Sequence, residues 1–275
     1  MTRYDLHTHS TVSDGTLSPT ELVHRAWERG VEVLALTDHD CTDGVAEATT
    51  EAVKLGLILI PGVEMSVTWE NGQTIHVVGL RIDLSTSVLQ AGLLRLREFR
   101  NWRAQEIGRR LAVHGIPDAF EGAQALVRGP IVSRTHFARF LVAGGYCRDM
   151  TDAFDHLLVR GKPGYVEGEW ANLIEGVDWI QAAGGQAVLA HPSRYPLSAP
   201  RLRQLLGQFR DCGGVGLEVI SGRHHHDSQT LAQYARLFGL AASVGSDFHH
   251  PDSPHIDLGR LPDLPPNVQP LWANW

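Results

Sequence analysis

The chain has 275 residues, 43% of them hydrophobic, enough for a full buried core in one large domain that carries an insertion. Its formal charge of −7 excludes a general nucleic-acid binder, since such proteins carry a large basic excess. Three cysteines, Cys41, Cys147 and Cys212, are odd in number and lack C-x-x-C spacing, which argues against both a disulfide framework and a thiolate zinc site.

Residues 4–9 read as a strand that begins so close to Met1 that no signal peptide fits before it; with no apolar run long enough for a membrane span, a cytoplasmic location is expected. Strand side chains alternate faces, so His7 and His9 project from one side and can grip one ion. Asp14 follows on a Ser-Asp-Gly turn, free to fold back toward the same place. Ser18-Pro19-Thr20-Glu21 is a capping box with proline at the first helical position, and Leu22, Val23, Ala26 and Trp27 form an apolar stripe ending at Gly30. The run 31–37 delivers Asp38 and His39, a helix over 43–55 stops at Gly56, and the run 57–63 delivers Glu64. Asp38, beside His39, is expected to orient rather than ligate. His76 lies inside the strand-like segment 74–78, where a plain buried histidine competes with a ligand. Strand–helix–strand units of this length predict a parallel sheet.

Between 84 and 168 only helices are predicted. Leu89, Leu93, Leu96, Phe99, Trp102, Ile107 and Leu111 recur at three-to-four spacing on one long helix closing at Gly115, with shorter helices after Ser133 and Thr151. This segment is expected to be an insertion over the barrel mouth, acting as a lid. Its stretch Arg95, Arg97, Arg100 and Arg103, continued by Arg109-Arg110, suits either solvent or phosphate. From 172 the βα rhythm returns, with strands near 186–190, 215–220 and 240–244. The first delivers His191 and the last delivers Asp247 and His249, a second i, i+2 pair. Glu218, outside the matched ligand set, is expected either to support a ligand from behind or to be a structural acid. His224-His225-His226 reads as a solvated loop, because consecutive residues cannot all face one ion, and the proline-rich 262–270 tail as an extended surface strap.

Strand ends in parallel α/β folds converge on one mouth, so His7, His9, His39, His76, His191 and His249 are expected to meet Asp14, Glu64 and Asp247 there. Nine such ligands exceed what one ion takes, which predicts two to three divalent ions with Glu64 as a bridging carboxylate. Histidine with carboxylate suits manganese, iron or zinc, and ligand type alone does not choose among them; manganese is the first expectation.

The motifs His7-Thr8-His9, Asp14, Thr37-Asp38-His39-Asp40, Pro61-Gly62-Val63-Glu64, His76, Ala190-His191-Pro192 and Gly245-Ser246-Asp247-Phe248-His249 resemble, in order, those of the PHP (polymerase and histidinol phosphatase) superfamily of trinuclear metal phosphoesterases. The resemblance implies an α/β fold, a distorted (β/α)7-type barrel over 1–83 and 169–275 with the helical insertion 84–168 over its mouth. It implies one ion on His7, His9, Glu64 and Asp247, a second on Glu64, His76 and His191, and a third on Asp14, His39 and His249. Glu64, His191 and Asp247 would then be the catalytic residues at the reacting centre. Ser133-Arg134-Thr135-His136-Phe137-Ala138-Arg139, Arg160-Gly161-Lys162-Pro163-Gly164-Tyr165-Val166 and His191-Pro192-Ser193-Arg194-Tyr195 are most similar to the 3′,5′-nucleoside bisphosphate phosphatase branch, whose relatives also act as 5′-to-3′ exoribonucleases. The implied activity is hydrolysis of the 3′-phosphate of nucleoside 3′,5′-bisphosphates, with trimming of short 5′-phosphorylated RNA. Arg134, Lys162, Arg194 and, less strongly, His136 are expected to hold the phosphate that is not cleaved, since arginine's planar fork matches a dianion. A histidinol phosphatase-like phosphomonoesterase is an alternative, disfavoured by the basic insertion. A non-catalytic metal-binding accessory module is another, disfavoured by the complete ligand set. The expected partners are a small nucleotide and short RNA, with no membrane and no obligate protein partner.

Overall fold

Among the described residues, eight strands form one mixed sheet that curls around on itself: β1 (Tyr4–Asp5), β2 (Val33–Leu36), β3 (Ile58–Trp69), β4 (Gln73–Leu80), β5 (Ala171–Asn172), β6 (Gln186–Leu189), β7 (Gly216–Ser221) and β8 (Ala241–Gly245). The structure, a computed structural model, describes residues 2–222, 227–253 and 256–275. Seven strands run in the order β1-β2-β3-β4-β6-β7-β8, with β5 paired to β3 outside this path. The chain just after β1 closes the ring against β8: Leu6 N–H donates to Val244 O at 3.0 Å, and Asp247 N–H to His7 O at 2.9 Å. The expected seven-stranded barrel is therefore what forms.

One strand departs from the parallel expectation. β4 runs antiparallel to both β3 and β6. The cause is local: β3 and β4 form a hairpin whose loop Glu70-Asn71-Gly72 holds Asn71 at φ +59° and Gly72 at φ +71°, conformations that asparagine and glycine tolerate best. His76 thus comes from mid-strand on a returning hairpin rather than from the carboxyl end of a parallel strand.

Helices α1 (Pro19–Glu28), α2 (Val45–Leu55), α7 (Leu173–Ala182), α8 (Ala199–Asp211) and α9 (Ser228–Phe238) belong to the barrel. The capping box is formed as read: Ser18 Oγ accepts from Glu21 N–H at 3.2 Å and Glu21 Oε2 accepts from Ser18 N–H at 2.7 Å. Leu22, Val23 and Ala26 are buried, whereas Trp27 of the expected stripe is half exposed. The second helix starts at Val45, two residues later than expected.

The helical segment holds α3 (Ser87–Val113), α4 (Ala119–Gln124), α5 (Arg134–Ala143) and α6 (Met150–Ala153), the last running into a π-helical turn at Phe154–Leu158. The long helix α3 serves two cores. Leu89, Leu93 and Leu96 pack into the barrel's main cluster with Val177 and Ile180 of α7, while Ala104, Ile107 and Leu111 join Phe137, Leu141 and Leu158 in a separate one. The proline-rich tail does more than lie on the surface. Its end pairs with β8, where Ala242 N–H donates to Gln269 O at 2.8 Å, and Leu271 is buried against Leu6 and Val188. Trp272 stacks on Tyr4 at 4.1 Å, so the C-terminus covers the strand starts, the end away from the histidines. Among the described residues, no helix is long and apolar enough to cross a membrane.

Candidate metal centre

Most ligands follow a strand end, whereas Glu64 and His76 lie within β3 (Ile58–Trp69) and β4 (Gln73–Leu80). The chain leaves β1 into His7 and His9, and the 10–15 loop folds back so tightly that a Cβ on Gly15 would lie 2.4 Å from His9 O; only glycine permits this approach, which carries Asp14 to the site. Asp38 pins the loop: it accepts from Ser10 N–H at 2.8 Å, Ser10 Oγ at 2.7 Å and Ser13 Oγ at 2.6 Å. It therefore orients rather than ligates. His191 and Asp247 follow β6 and β8 with φ of +29° and +53°, left-handed backbone that costs on the order of 1–3 kcal/mol each and is typical of functional positions.

Glu64 sits at the centre of the cluster. Its Oε1 lies 2.8 Å from His76 Nδ1, 2.9 Å from His191 Nε2 and 3.2 Å from His7 Nε2. Its Oε2 lies 2.8 Å from His39 Nδ1 and 3.3 Å from His9 Nε2. Asp247 Oδ1 is 3.1 Å from His9 Nε2 and 3.5 Å from His7 Nε2, and Asp14 Oδ1 is 3.2 Å from His249 Nε2. Among the described residues, three groups have donor atoms all within 4.8 Å of one another: His7, His9, Glu64 and Asp247; His9, Asp14, His39 and His249; and His39, Glu64 and His76. All nine sequence-derived positions converge. His9 and His39 each belong to two groups, which the expected grouping did not include, while His191 joins through Glu64.

The electrostatics suit cations. Burial opposes ionisation of Glu64, Asp14 and Asp247, but the surrounding imidazoles, joined by Arg194 at Asp247, hold all three well below the carboxylate range. Burial also opposes charge on His7 and His9, yet the carboxylates around them raise both, His9 to about 10. His39 is pushed down to about 4 by burial, leaving the neutral ring that can ligate. Asp14 Oδ1 and Glu64 Oε2 are buried against imidazole nitrogens but make no well-formed hydrogen bond among the described residues, a state of carboxylate oxygens that bound divalent ions would relieve. Oxygen and imidazole donors at this spacing fit such ions.

The cluster opens into a cavity of about 620 Å³ whose other walls include Arg100, Arg103, Arg134, Arg160, Phe154 and Tyr165. The PHP domain model matches residues 5–163, more than half of the chain. The chain belongs to the PHP domain family. It is 47% identical over 274 residues to the 3′,5′-nucleoside bisphosphate phosphatase of Chromobacterium violaceum, covering 99% of this chain and 96% of that one. It is 48% identical over 275 residues to the 5′-3′ exoribonuclease Rnm of Escherichia coli, covering 99% and 93%. The solved structure of an amidohydrolase from Chromobacterium violaceum with bound sulfate matches with a TM-score of 0.94 at 47% identity, covering 98% of this chain and 94% of that one.

In this PHP domain the candidate phosphate-holding residues divide. Arg134, the first residue of α5, lines the cavity with its guanidinium 5.9 Å from the Phe154 ring centroid, and no ion pair to it is seen among the described residues. Arg194 also lines it, and its Nη1 donates to Asp247 Oδ2. Lys162 does not. The turn that carries it is closed by Lys162 N–H to Val159 O and Tyr165 N–H to Lys162 O, both 3.0 Å, so Arg160 and Tyr165 face the cavity while Lys162 is exposed outside. His136 is buried as a helix cap: its Nδ1 accepts from Ser133 N–H at 3.1 Å, and burial lowers its pKa to about 4. His224, His225 and His226 lie outside the described residues.

Several residues that the sequence left undecided, and Ser133, which it did not single out for this role, support the site. Arg100 and Arg103 are buried at the cavity, whereas Arg95 and Arg97 turn toward Glu175 and Asp43. The available signal was their i, i+3 spacing on the side that carries Leu89, Leu93, Leu96 and Ile107. Arg100 donates to Asp40 Oδ2 at 2.5 Å and to Ser66 Oγ at 2.9 Å, tying α3 to the turn after His39. Ser133 Oγ donates to Asp14 Oδ2 at 3.0 Å, a second tie from the helical segment to the metal cluster. Glu218 Oε2 accepts from His7 Nδ1 at 3.1 Å and from His191 N–H at 2.9 Å, so this acid fixes the tautomer of one histidine and the backbone of another.

Proposed function

We propose that this protein is a metal-dependent phosphoesterase that removes the 3′-phosphate from nucleoside 3′,5′-bisphosphates and trims 5′-phosphorylated RNA from its 5′ end. The observation that carries this reading is a single cavity with a carboxylate–imidazole cluster at one side and Arg100, Arg103 and Arg134 at the other. The two activities are one reaction: each breaks the P–O bond at the 3′-oxygen of a nucleotide whose 5′-phosphate stays intact. A phosphatase and an exoribonuclease among the full-length relatives are consistent with that common chemistry.

Two to three divalent ions, manganese first among them, would be held by His7, His9, Glu64 and Asp247, by Glu64, His39, His76 and His191, and by Asp14, His39 and His249 with His9. When bound, such ions supply a nucleophile at neutral pH and neutralise charge on the phosphoryl group. Glu64, His191 and Asp247 stand nearest the reacting phosphate in this reading. Arg134, supported by Arg100 and Arg103, would hold the 5′-phosphate, while Arg194 keeps the Asp247 carboxylate oriented. The 84–168 segment, tied down by Arg100 to Asp40 and Ser133 to Asp14, would serve as the lid that keeps bulk water from the site.

The test is phosphate release from a nucleoside 3′,5′-bisphosphate, a nucleoside 3′-monophosphate and histidinol phosphate, with a 5′-phosphorylated oligoribonucleotide followed by gel, on protein of measured metal content. The bisphosphate should lead, the RNA should shorten from its 5′ end, and two to three ions per chain should be found. A preference for histidinol phosphate, or at most one ion after reconstitution, would overturn the reading.

A further inference from the structure

Charge in this protein is segregated. Residues 84–168 contain 12 Lys and Arg against eight Asp and Glu, net +4, while the rest of the chain has 12 against 23, net −11. Not all of that positive charge faces the catalytic cavity. A second groove of about 240 Å³, lined by Arg109, Arg110, Val113, His114 and Pro163, lies where the end of α3 meets the 159–165 turn. That turn is a wall common to both spaces: Val159, Arg160 and Tyr165 line the catalytic cavity, Pro163 lines the groove, and Lys162 stands exposed beside it. One contact joins them directly. Arg110 Nη1, in the groove, donates to the carbonyl of Tyr165, whose residue lines the cavity.

We infer that this groove is a track for the backbone of single-stranded RNA whose 5′ nucleotide occupies the catalytic cavity. The chain would leave over Arg160 and Tyr165, and its following phosphates would lie along Lys162, Arg109 and Arg110. Arg109 and Arg110 are held by the single carboxylate of Glu106, at 2.7 Å each. Exposed pairs of this kind are weak, so a phosphate can displace the acid. Two guanidinium groups sharing one carboxylate also leave a net positive charge for an anion. Val113, 80% exposed, and Pro163 add the apolar surface that a ribose or base needs. A mononucleotide bisphosphate is contained in the cavity and would never reach this surface. The groove therefore separates RNA from mononucleotide substrates. The inference rests on the 5′-nucleotide reading of the cavity.

The experiment compares the full-length protein with the variant Arg109→Gln/Lys162→Gln. Binding of a 5′-phosphorylated oligoribonucleotide of about 12 nucleotides is followed by fluorescence anisotropy over a range of salt, with chelator present so that nothing is cleaved. Each lost phosphate contact removes about 0.7 from the slope of log affinity against log salt, so the variant's slope should flatten by about 1.4 and its affinity fall roughly 20-fold at about 0.1 M salt. Its kcat/KM on the nucleoside 3′,5′-bisphosphate should stay within about twofold of the parent. Arg109→Lys/Lys162→Arg, which keeps both charges, should restore RNA binding. Unchanged affinity and slope, or an equal loss on the mononucleotide, would overturn the track. Were the parent to bind RNA through these residues yet fail to turn over the bisphosphate, the catalytic reading would fall and the track would stand.

Discussion

Replacing Arg134 by alanine separates an enzyme that reads a second phosphate from a generic phosphatase. The guanidinium lines the cavity with no acid paired to it among the described residues, and burial, with the charge of Arg100, lowers its pKa. A cation held in that state is waiting for an anion. One hydrogen bond to a charged group is worth about 1.5–3 kcal/mol, so a bidentate contact of about 3–4 kcal/mol corresponds to a loss of roughly 100- to 1000-fold in kcat/KM, at about 1.4 kcal/mol per tenfold. Arg100 and Arg103 remain nearby and retain part of the field, which favours the lower end. The assay is kcat/KM for a nucleoside 3′,5′-bisphosphate beside a nucleoside 3′-monophosphate and an aryl phosphate, which lack the second group and should lose less than about fivefold. Arg134→Lys should fall between, because an ammonium is a point charge without the fork. Equal losses on all three substrates would refute the reasoning and assign Arg134 to the reacting phosphate or to the fold.

Glu218→Gln keeps an oxygen for His7 Nδ1 and His191 N–H but removes the charge behind His7, so metal affinity should fall about 10- to 100-fold with kcat nearly retained at saturating ion; an activity titration against manganese checks this, and unchanged half-saturation would refute it. His136 has a folded pKa of about 4 against 6.5 when free, so the folded state binds fewer protons between those values. Stability should be full above about pH 6.5 and decline as pH falls toward 4, by about 2 kcal/mol at pH 5. His136→Asn retains an acceptor for Ser133 N–H, and urea denaturation at pH 7 and pH 5 should show that its stability loses about 2 kcal/mol less than the parent's over that interval.

Much of the site is legible in the sequence. His7 and His9 were a pair because side chains alternate along extended chain, and His191 and Asp247 each followed an apolar run that proved a strand ending at one mouth, whereas the run before Glu64 continues as β3 to Trp69 and places this acid mid-strand. The capping box at Ser18 was equally local, since its two hydrogen bonds span three residues. Where partners are distant, local pattern was silent. The i, i+3 arginines of α3 looked alike, and only packing divided Arg100 and Arg103, turned to the cavity, from Arg95 and Arg97, turned to surface acids. Lys162 and His136 were placed at the phosphate because a linear motif holds no information on which way a turn or a helix cap faces.

The sequence by itself determined the chemistry: donor types, and the strand ends that carry His191 and Asp247, follow from residue identity and from the two periods of regular backbone, both short-range properties. Tertiary structure alone decided the grouping and the access. That His9 and His39 each serve two clusters, that Glu218 braces His7 and His191 together, and that α3 reaches across to Asp40 all depend on contacts between residues distant in the chain, up to His9 and His249 at opposite ends of it. Such contacts are set by how the barrel closes and how the hairpin of β3 and β4 reverses, and closure is a property of the whole core rather than of any window of sequence.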